Sequence, residues 1–284
     1  NGLQAGRYLG SNGTETAGSV EYQVSTAVYQ QRFSVGQNTR SASFNDDGTK
    51  MFVTSSTAET VREYTLSTAY DVSTASYVDE FSLQGTNIGQ TYFKAGGIQF
   101  YNIDGGGDAV YQYSMSTAWD ISTATYDSKS FSTSSQDTLG YGLYFKSDGT
   151  KFYTAGADND SVYEYSLSTA WDLSTASYIT AFSTAAQVLN PRAVGFKPDG
   201  TEMYIGASPS IYIYSLSTAW SISTASYIST LTTNGANPAS IDFGNSGAVM
   251  IVSDGTANAV DQYSTAAYTQ TLDLSTGTTF SFTP

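Results

Sequence analysis

Apolar and polar residues alternate with a period of two along most of the chain. Segments such as "SVYEYSL" (161–167) and "SYITAFS" (177–183) are rich in Tyr, Val and Phe, which fit the pleated surface of a strand. Gly, Asn and Ser separate these segments and leave almost no room for helices. The pattern therefore predicts an all-β chain.

One phrase recurs along the chain and sets the length of a repeat. "YSLSTAWDLSTASY" begins at Tyr165, and near-copies begin at Tyr64, Tyr113 and Tyr214. With the tyrosine at 263, the positions 64, 113, 165, 214 and 263 are separated by 49, 52, 49 and 49 residues. Upstream of each phrase lies a hairpin signature such as "YFKSDGTKFY" (144–153), in which glycine tolerates the positive φ of a tight turn. Each repeat therefore predicts four strands.

Four antiparallel strands every ~50 residues are typical of a β-propeller blade. Segments that match a fourth strand are "VYQQRFS" (28–34), "SYVDEFS" (76–82), "TYDSKSFS" (125–132), "SYITAFS" (177–183), "SYISTLT" (226–232) and "AYTQTLD" (267–273). Six such segments predict six blades.

The two ends of the chain suggest how the ring closes. "TTFSFTP" (278–284) followed by "NGLQAGRYLG" (1–10) resembles the hairpin "VGFKPDGTEMYIG" (194–206). The sequence thus predicts one propeller domain over residues 1–284, with blade 1 shared between residues 1–34 and 276–284. In this prediction the C-terminal strand pairs with the N-terminal three strands, which removes the free sheet edges.

The repeated phrase falls in the predicted loop between third and fourth strands, at the outer rim on the side of the Asp-Gly turns. Its hydroxyl groups can bond nearby backbone groups. Its aromatic residue, which is Tyr70, Trp119, Trp171 or Trp220, can cover the edge of a blade. We expect this packing role, and stacking on a sugar ring is the alternative.

The segment "FKPDGTEMYIGASPSIYIYSL" (196–216) resembles the repeat of the YVTN, NHL and WD40-like propeller superfamily. Those repeats run Phe-Ser-Pro-Asp-Gly, then an aliphatic-Tyr-Val strand and a Val-x-Val strand. The "LSTAWD" phrases are also similar to repeats of marine bacterial and bacteriophage surface proteins. The Gly-His and Trp-Asp pairs of WD40 proteins proper are missing from the positions that family uses. The resemblance implies a fold and no activity.

Composition excludes several kinds of chemistry. With 11 basic and 25 acidic residues the net charge is −14, which disfavours nucleic acid as a partner. The sequence contains no run of about 18 apolar residues, so we expect no membrane insertion. Histidine and cysteine are both absent, so a Ser-His-Asp triad, a cysteine nucleophile and a His-rich zinc site are excluded. The low charged fraction and 23 tyrosines are typical of extracellular, cell-surface or virion-surface proteins.

Carboxylates are the remaining candidates for catalysis or metal binding. Propeller glycosidases need a pair of acids on the innermost strands, and the segments beside the predicted inner-strand phenylalanines offer Asp242 alone. Acids in the loops after second strands would suit calcium, but no EF-hand spacing is present. These loop acids are Glu15, Glu59, Asp104, Asp108, Asp158, Asp160 and Asp254. We therefore expect no enzyme activity, no metal and no cofactor.

The candidate ligand-binding residues occupy two positions in the repeat. Six residues before each inner-strand phenylalanine stand Asn38, Asn87, Leu139, Asn190 and Asn237, and Arg40 and Arg192 follow two positions later. We expect Asn38, Arg40, Asn87, Asn190, Arg192 and Asn237 to line the channel mouth, where amides and guanidinium groups suit polyhydroxyl or peptide ligands. The alternative is that each Asn bonds its own turn.

Three functional hypotheses follow. The first is a non-enzymatic surface propeller, a recognition or adhesion module for a glycan or protein partner. The second is a structural spacer or decoration subunit that contacts copies of itself in a filament or particle. A polysaccharide enzyme using Asp242 is a third hypothesis.

Overall fold

The computed structural model describes residues 22–266 and shows a β-propeller of five four-stranded antiparallel blades. The first strand in the chain, β1 (Val28–Ser34), belongs to blade 5. Blade 1 contains β2 (Thr39–Phe44), β3 (Lys50–Ser55), β4 (Thr60–Leu66) and β5 (Ala75–Ser82). Blade 2 contains β6 (Ile88–Phe93), β7 (Gln99–Asp104), β8 (Ala109–Met115) and β9 (Ala124–Ser132).

Blade 3 contains β10 (Gly140–Phe145), β11 (Lys151–Gly156), β12 (Ser161–Leu167) and β13 (Ala176–Ser183). Blade 4 contains β14 (Ala193–Phe196), β15 (Glu202–Ala207), β16 (Ser210–Leu216) and β17 (Ala225–Thr232). Blade 5 contains β18 (Pro238–Gly244), β19 (Val249–Asp254), β20 (Ala259–Ser264) and β1. The innermost strands β2, β6, β10, β14 and β18 contact one another in this cyclic order around a central channel.

The helical segments within residues 22–266 are single 3-10 turns. Their bounds are Val24–Thr26, Val72–Thr74, Ile121–Thr123, Leu173–Thr175, Ile222–Thr224 and Asn245–Gly247. In this described part of the chain, no helix has the length and apolar character needed to cross a membrane.

The burial pattern explains which residues form which strand. Residues of β11 after Lys151 are all buried, because each sheet packs between two neighbouring sheets and both faces of its inner strands are covered. The outermost strands β13 and β17 each have three consecutive exposed residues near their start and alternate between exposed and partly buried residues in their second halves, because one face of this part is more covered than the other. The period of two in the sequence therefore marks the outer strands most clearly.

The prediction of six blades is wrong, and the reason lies at the ends of the chain. Both "VYQQRFS" (28–34) and "AYTQTLD" (267–273) match a fourth strand, but only one strand can pair with the edge of β20 that β19 leaves open. That edge is taken by β1, with Val28 opposite Ser264 and Ser34 opposite Ala259. Residues 28–34 therefore complete blade 5 instead of a blade shared between residues 1–34 and 276–284. Residues 1–21 and 267–284, including that predicted C-terminal strand, lie outside the described residues.

The repeated phrase contacts the Asp-Gly turn of its own blade and also the preceding blade. The backbone N–H of Trp171 donates to the carbonyl of Gly149 at 3.0 Å, in the Asp-Gly turn of the same blade. Its ring packs on Gly149 so closely that a Cβ there would lie 2.3 Å from it. The Tyr101 hydroxyl, from blade 2, donates to the carbonyl of Trp171 at 2.7 Å. The predicted packing role of this aromatic residue is confirmed.

Candidate functional site at the channel mouth

One position of the repeat defines the mouth of the channel. It is occupied, from blade 1 to blade 5, by Arg40, Gly89, Tyr141, Arg192 and Ala239. In blade 1 the pairing of β2 with β3 is irregular around Arg40, and in blade 3 the pairing of β10 with β11 is irregular around Tyr141. A β-bulge redirects the side chain of the extra residue. The bulges therefore free these two side chains from the regular pleat.

Three of these side chains meet across the channel. The guanidinium carbon of Arg40 lies 5.2 Å from the centroid of the Tyr141 ring, and that of Arg192 lies 5.1 Å from it. The three residues come from blades 1, 3 and 4, and blade 1 is adjacent to neither of the other two. Tyr141 thus receives two cation–π contacts, which hold the guanidinium groups over one ring.

The two remaining blades contribute small residues at this position. A Cβ at Gly89 would lie 2.4 Å from the backbone carbonyl oxygen of Tyr141, so glycine alone fits there. Blade 5 has Ala239. Because the residues at this position in blades 2 and 5 are small, they leave space at the channel mouth for the side chains of Arg40, Tyr141 and Arg192.

Neighbouring polar residues position this cluster. The side-chain amide of Asn87 donates to the hydroxyl of Tyr141 at 3.2 Å. Nε of Arg40 donates to the hydroxyl of Ser56 at 3.3 Å, and that hydroxyl donates to the amide oxygen of Asn38 at 3.4 Å. The predicted residues Asn38, Arg40, Asn87 and Arg192 therefore belong to one connected group.

The asparagines also serve the turns around them. The backbone carbonyls of Asn38, Asn87 and Asn237 accept hydrogen bonds from the residue after the second strand of their own blade, at 3.2, 3.0 and 3.1 Å. Asn190 has a φ of +54°, and its N–H donates to Asp160 at 2.7 Å. Among the described residues, no hydrogen bond or ring contact joins Asn190 or Asn237 to Tyr141. Ligand binding by any of the six predicted residues stays a prediction.

Electrostatics set Arg40 and Arg192 apart from the other arginines that the structure describes. Arg32 pairs with Asp261 at 2.6 Å and Arg62 pairs with Glu80 at 2.8 Å. Neither Arg40 nor Arg192 lies within 4.0 Å of a carboxylate among residues 22–266. Burial, and to a smaller extent the charge of Arg192, lowers the pKa of Arg40 from its usual value. Two neighbouring cations in this acidic protein therefore favour binding an anionic group.

Two of the predicted loop acids, Asp104 and Asp254, accept hydrogen bonds from backbone N–H groups on this face. Oδ1 of Asp104 accepts hydrogen bonds from the N–H groups of Asn87 and Gly106 at 2.9 and 3.0 Å. Oδ1 of Asp254 accepts from the N–H of Thr256 at 2.9 Å. Within the described residues no group of three or more acidic side chains could hold a metal ion. Glu15 lies outside the described residues.

Tyr141 is the residue of this site that the sequence reasoning missed. It stands two residues after Leu139, as Arg40 and Arg192 stand two residues after Asn38 and Asn190. A comparison of the residues at this position in all five blades, including the uncharged ones, would have identified Tyr141. Its contact with both arginines was still not predictable, because it depends on the diameter of a ring with five blades.

No protein-family model matches the chain, and no curated protein matches its sequence. The resemblance of the repeats to the YVTN, NHL and WD40-like superfamily, and to marine bacterial and bacteriophage proteins, is therefore not supported. Similarity appears among solved structures. A functionally unknown protein from Desulfotomaculum acetoxidans aligns with a TM-score of 0.52 and 11% identity, over 83% of this chain and 88% of that one.

Two other solved structures align over 76% of this chain and 64% of their own. One, with a TM-score of 0.51 and 15% identity, is a protein from Lactobacillus plantarum. The other, with a TM-score of 0.50 and 14% identity, comes from Bacteroides uniformis and carries the provisional name 6-phosphogluconolactonase. The present chain thus spans less than two thirds of these two proteins. At such identities the similarity shows the β-propeller fold alone.

Proposed function

We propose that the protein is a non-enzymatic recognition module that binds acidic groups of a glycan or protein ligand at the channel mouth. The observation that carries this proposal is the convergence of Arg40 and Arg192 on Tyr141. In this proposal the module acts at the outside of a cell or on a virion.

The geometry suits a carboxylate or sulfate more than a neutral group. A guanidinium group presents donors in a planar fork that matches two oxygen atoms of an anion. Hydrogen bonds to charged groups contribute about 1.5 to 3 kcal/mol each, so loss of one arginine should weaken binding at least about tenfold. Because Tyr141 and Ser56 already position the two arginines, little side-chain entropy is lost when the ligand binds.

The test is isothermal titration calorimetry with oligogalacturonate, which carries carboxylates, and with a neutral oligosaccharide of equal length. An acidic peptide forms a third arm and separates protein ligands from glycans. We expect oligogalacturonate or the acidic peptide to bind and the neutral sugar to bind at least about tenfold more weakly. The affinity should fall with added salt.

Arg40→Gln and Arg192→Gln are the test variants, and Arg62→Gln is the matched control. Arg62 pairs with Glu80 between β4 and β5, away from the channel mouth. The control should bind as the native protein does, and both test variants should lose affinity. Equal affinity in all three variants, or preference for the neutral sugar, would contradict the proposal. An Asn190→Ala, Asn237→Ala double variant tests the remaining predicted residues.

A structural role is the second candidate, and the outer strands favour it. Four blades expose a tyrosine and an aliphatic residue side by side, with 39% to 52% of each side chain accessible. These pairs are Val28 and Tyr29, Tyr77 and Val78, Tyr178 and Ile179, and Tyr227 and Ile228. Apolar pairs repeated around the rim suit lateral contact between copies.

Sedimentation velocity over a concentration series tests this second candidate. If copies associate through the rim, the native protein should form larger species with rising concentration. Replacing Tyr178 and Ile179 by serine should weaken that association, since apolar area is lost. A native protein that stays monomeric at all concentrations would exclude assembly through the rim.

A further inference from the structure

A cavity opens on the face of the ring opposite the channel mouth, beside the Asp-Gly turns. Its volume is about 250 Å³, and blades 1, 2 and 5 line it. The lining aromatic residues are Tyr22, Phe44, Tyr70, Tyr92, Phe93, Trp119 and Phe243. Among residues 22–266, Asp242 and Asp46 are the two carboxylates that line it, and no lysine or arginine of this part of the chain does. We call this cavity the Asp242 pocket.

The sequence explains why the cavity lies between these blades. The residue after the inner-strand phenylalanine is a lysine in blades 2, 3 and 4, but Asn45 in blade 1 and Gly244 in blade 5. The residue before that phenylalanine is Ser43 in blade 1 and Asp242 in blade 5. Short side chains at these positions leave open space next to Asp242.

Asp242 lines the pocket from β18. It also lines a smaller cavity of about 50 Å³ inside the channel, together with Ser43, Tyr92 and Tyr144. One of its oxygens accepts a hydrogen bond from the N–H of Phe44 at 3.1 Å. No lysine or arginine among the described residues lies within 4.0 Å of its carboxylate.

The three lysines on the neighbouring turns have other partners. Lys94 lies over the ring of Trp171 at 5.2 Å and donates to Gln99 at 3.2 Å. Lys146 pairs with Asp148, and Lys197 pairs with Asp199. These three lysines each follow the inner-strand phenylalanine of their own blade. None of them is therefore a counter-ion of Asp242.

We propose that the Asp242 pocket binds a small alkylammonium group, with the Asp242 carboxylate as its counter-ion and the surrounding aromatic rings as cation–π partners. A cation is attracted by the faces of aromatic rings and by a carboxylate that has no other cation near it. The volume lies just below the about 300 Å³ at which pockets for drug-sized ligands begin, so a small group suits it. This site is on the face opposite the channel mouth and does not depend on the proposed function.

The charge of Asp242 depends on pH within the mildly acidic range. Burial raises the pKa of Asp242 to about 6, so the carboxylate is charged at neutral pH and neutral in mild acid. In the described part of the chain, the other titratable groups that line the two cavities are Asp46, Tyr22, Tyr70, Tyr92 and Tyr144. Burial also raises the pKa of Tyr92 and Tyr144, so both stay neutral in this range. Affinity for a cation should therefore fall as the pH drops below about 6.

The probes are choline and its uncharged isostere 3,3-dimethyl-1-butanol, titrated into the whole protein by calorimetry at pH 7.5 and pH 5, with N-acetyl-lysine methylamide as a primary-ammonium probe. We expect choline to bind at pH 7.5 at least about tenfold more tightly than the isostere, because the two differ chiefly in charge. Binding of the lysine probe as well would extend the site to protein side chains.

Asp242→Asn should weaken choline binding at least about tenfold and remove its pH dependence. Asp199→Asn is the matched control, because Asp199 is a carboxylate in the Asp-Gly turn of blade 4, on the same face of the ring, and does not line the pocket. Near-ultraviolet circular dichroism verifies that both variants are folded. Equal binding of choline and its isostere, no choline binding at about 10 mM, or unchanged affinity in Asp242→Asn would each overturn the proposal.

Discussion

Glu164 of blade 3 accepts a hydrogen bond from the backbone N–H of Ile222 in blade 4, with 3.1 Å between Oε2 and N. The same bond joins Glu63 to Ile121, Gln112 to Leu173 and Gln262 to Val72, each across a different blade interface. In every case the acceptor precedes the tyrosine that opens the repeated phrase, and the donor begins a 3-10 turn of the next blade. Blade 4 has Ile213 at this position, so the fifth interface lacks the bond.

Replacing Glu164 by Leu should lower the free energy of unfolding by about 2 to 4 kcal/mol, because the buried N–H of Ile222 loses its acceptor and Lys151 loses its partner. Glu164→Gln should cost clearly less, since Gln112 and Gln262 make the same bond. Urea denaturation measures both values. Equal losses in the two variants would mean that the hydrogen bond does not matter.

Gly149→Ala should lower the free energy of unfolding by about 3 kcal/mol, because a methyl group there combines a positive φ with a clash against Trp171. Gly36→Ala is the matched control. Gly36 has a φ of +75°, close to the +72° of Gly149, but no atom within 4 Å of an added Cβ. It should cost only about 1 kcal/mol. Thermal unfolding of both variants separates the contact from the backbone strain.

Arg32→Ala should lower the free energy of unfolding by about 3 kcal/mol. Arg32 is on β1, and its partners Asp254 and Asp261 are buried on β19 and β20, so the substitution leaves two buried carboxylates without their cation. Arg62→Ala removes a more exposed ion pair with Glu80 and should cost less than about 1 kcal/mol. Denaturant titration compares them, and equal losses would argue against closure of the ring through β1.

Asp242 should make the protein less stable as the pH rises. Its pKa in the folded protein is about 6, above the usual value of 3.8, so the folded state binds this proton more tightly than the unfolded state does. The favourable contribution is therefore complete below pH 4 and disappears as the pH passes through about 6. Relative to Asp242→Asn, the native protein should lose up to about 3 kcal/mol between pH 4 and pH 8. A pH series of urea denaturation curves for both proteins measures this difference, and a constant difference would show that the pKa is not raised.

Ser221→Asp should raise the free energy of unfolding by about 0.5 to 1 kcal/mol. In three blades an aspartate caps the 3-10 turn, as Asp120 does by accepting from the N–H of Ser122 at 3.1 Å. Ser221 stands at this position in blade 4 and makes no such bond. Asp120→Ser is the reverse substitution and should cause a similar loss. Thermal shift assays follow both, and a destabilised Ser221→Asp variant would contradict the argument.

The local sequence pattern was sufficient to predict the four-stranded blades, because turn residues and a period of two act within about 50 residues of chain. The repeat of Asp-Gly turns and rim phrases predicted four-stranded antiparallel blades, and the structure contains them. The blade number was not predictable in this way. "VYQQRFS" (28–34) and "AYTQTLD" (267–273) carry the same pattern, and it is the pairing of β1 with β20 that decides between them.

The candidate sites divide in the same way. The sequence alone determined the fold class, the blade repeat and the position of Arg40 and Arg192, because the same register recurs in every repeat. Tertiary structure alone decided that both arginines meet on Tyr141 and that Asp242 faces an aromatic cavity. Contacts across a ring depend on how many blades close it and on the size of side chains far apart in the chain, and no local pattern contains that information.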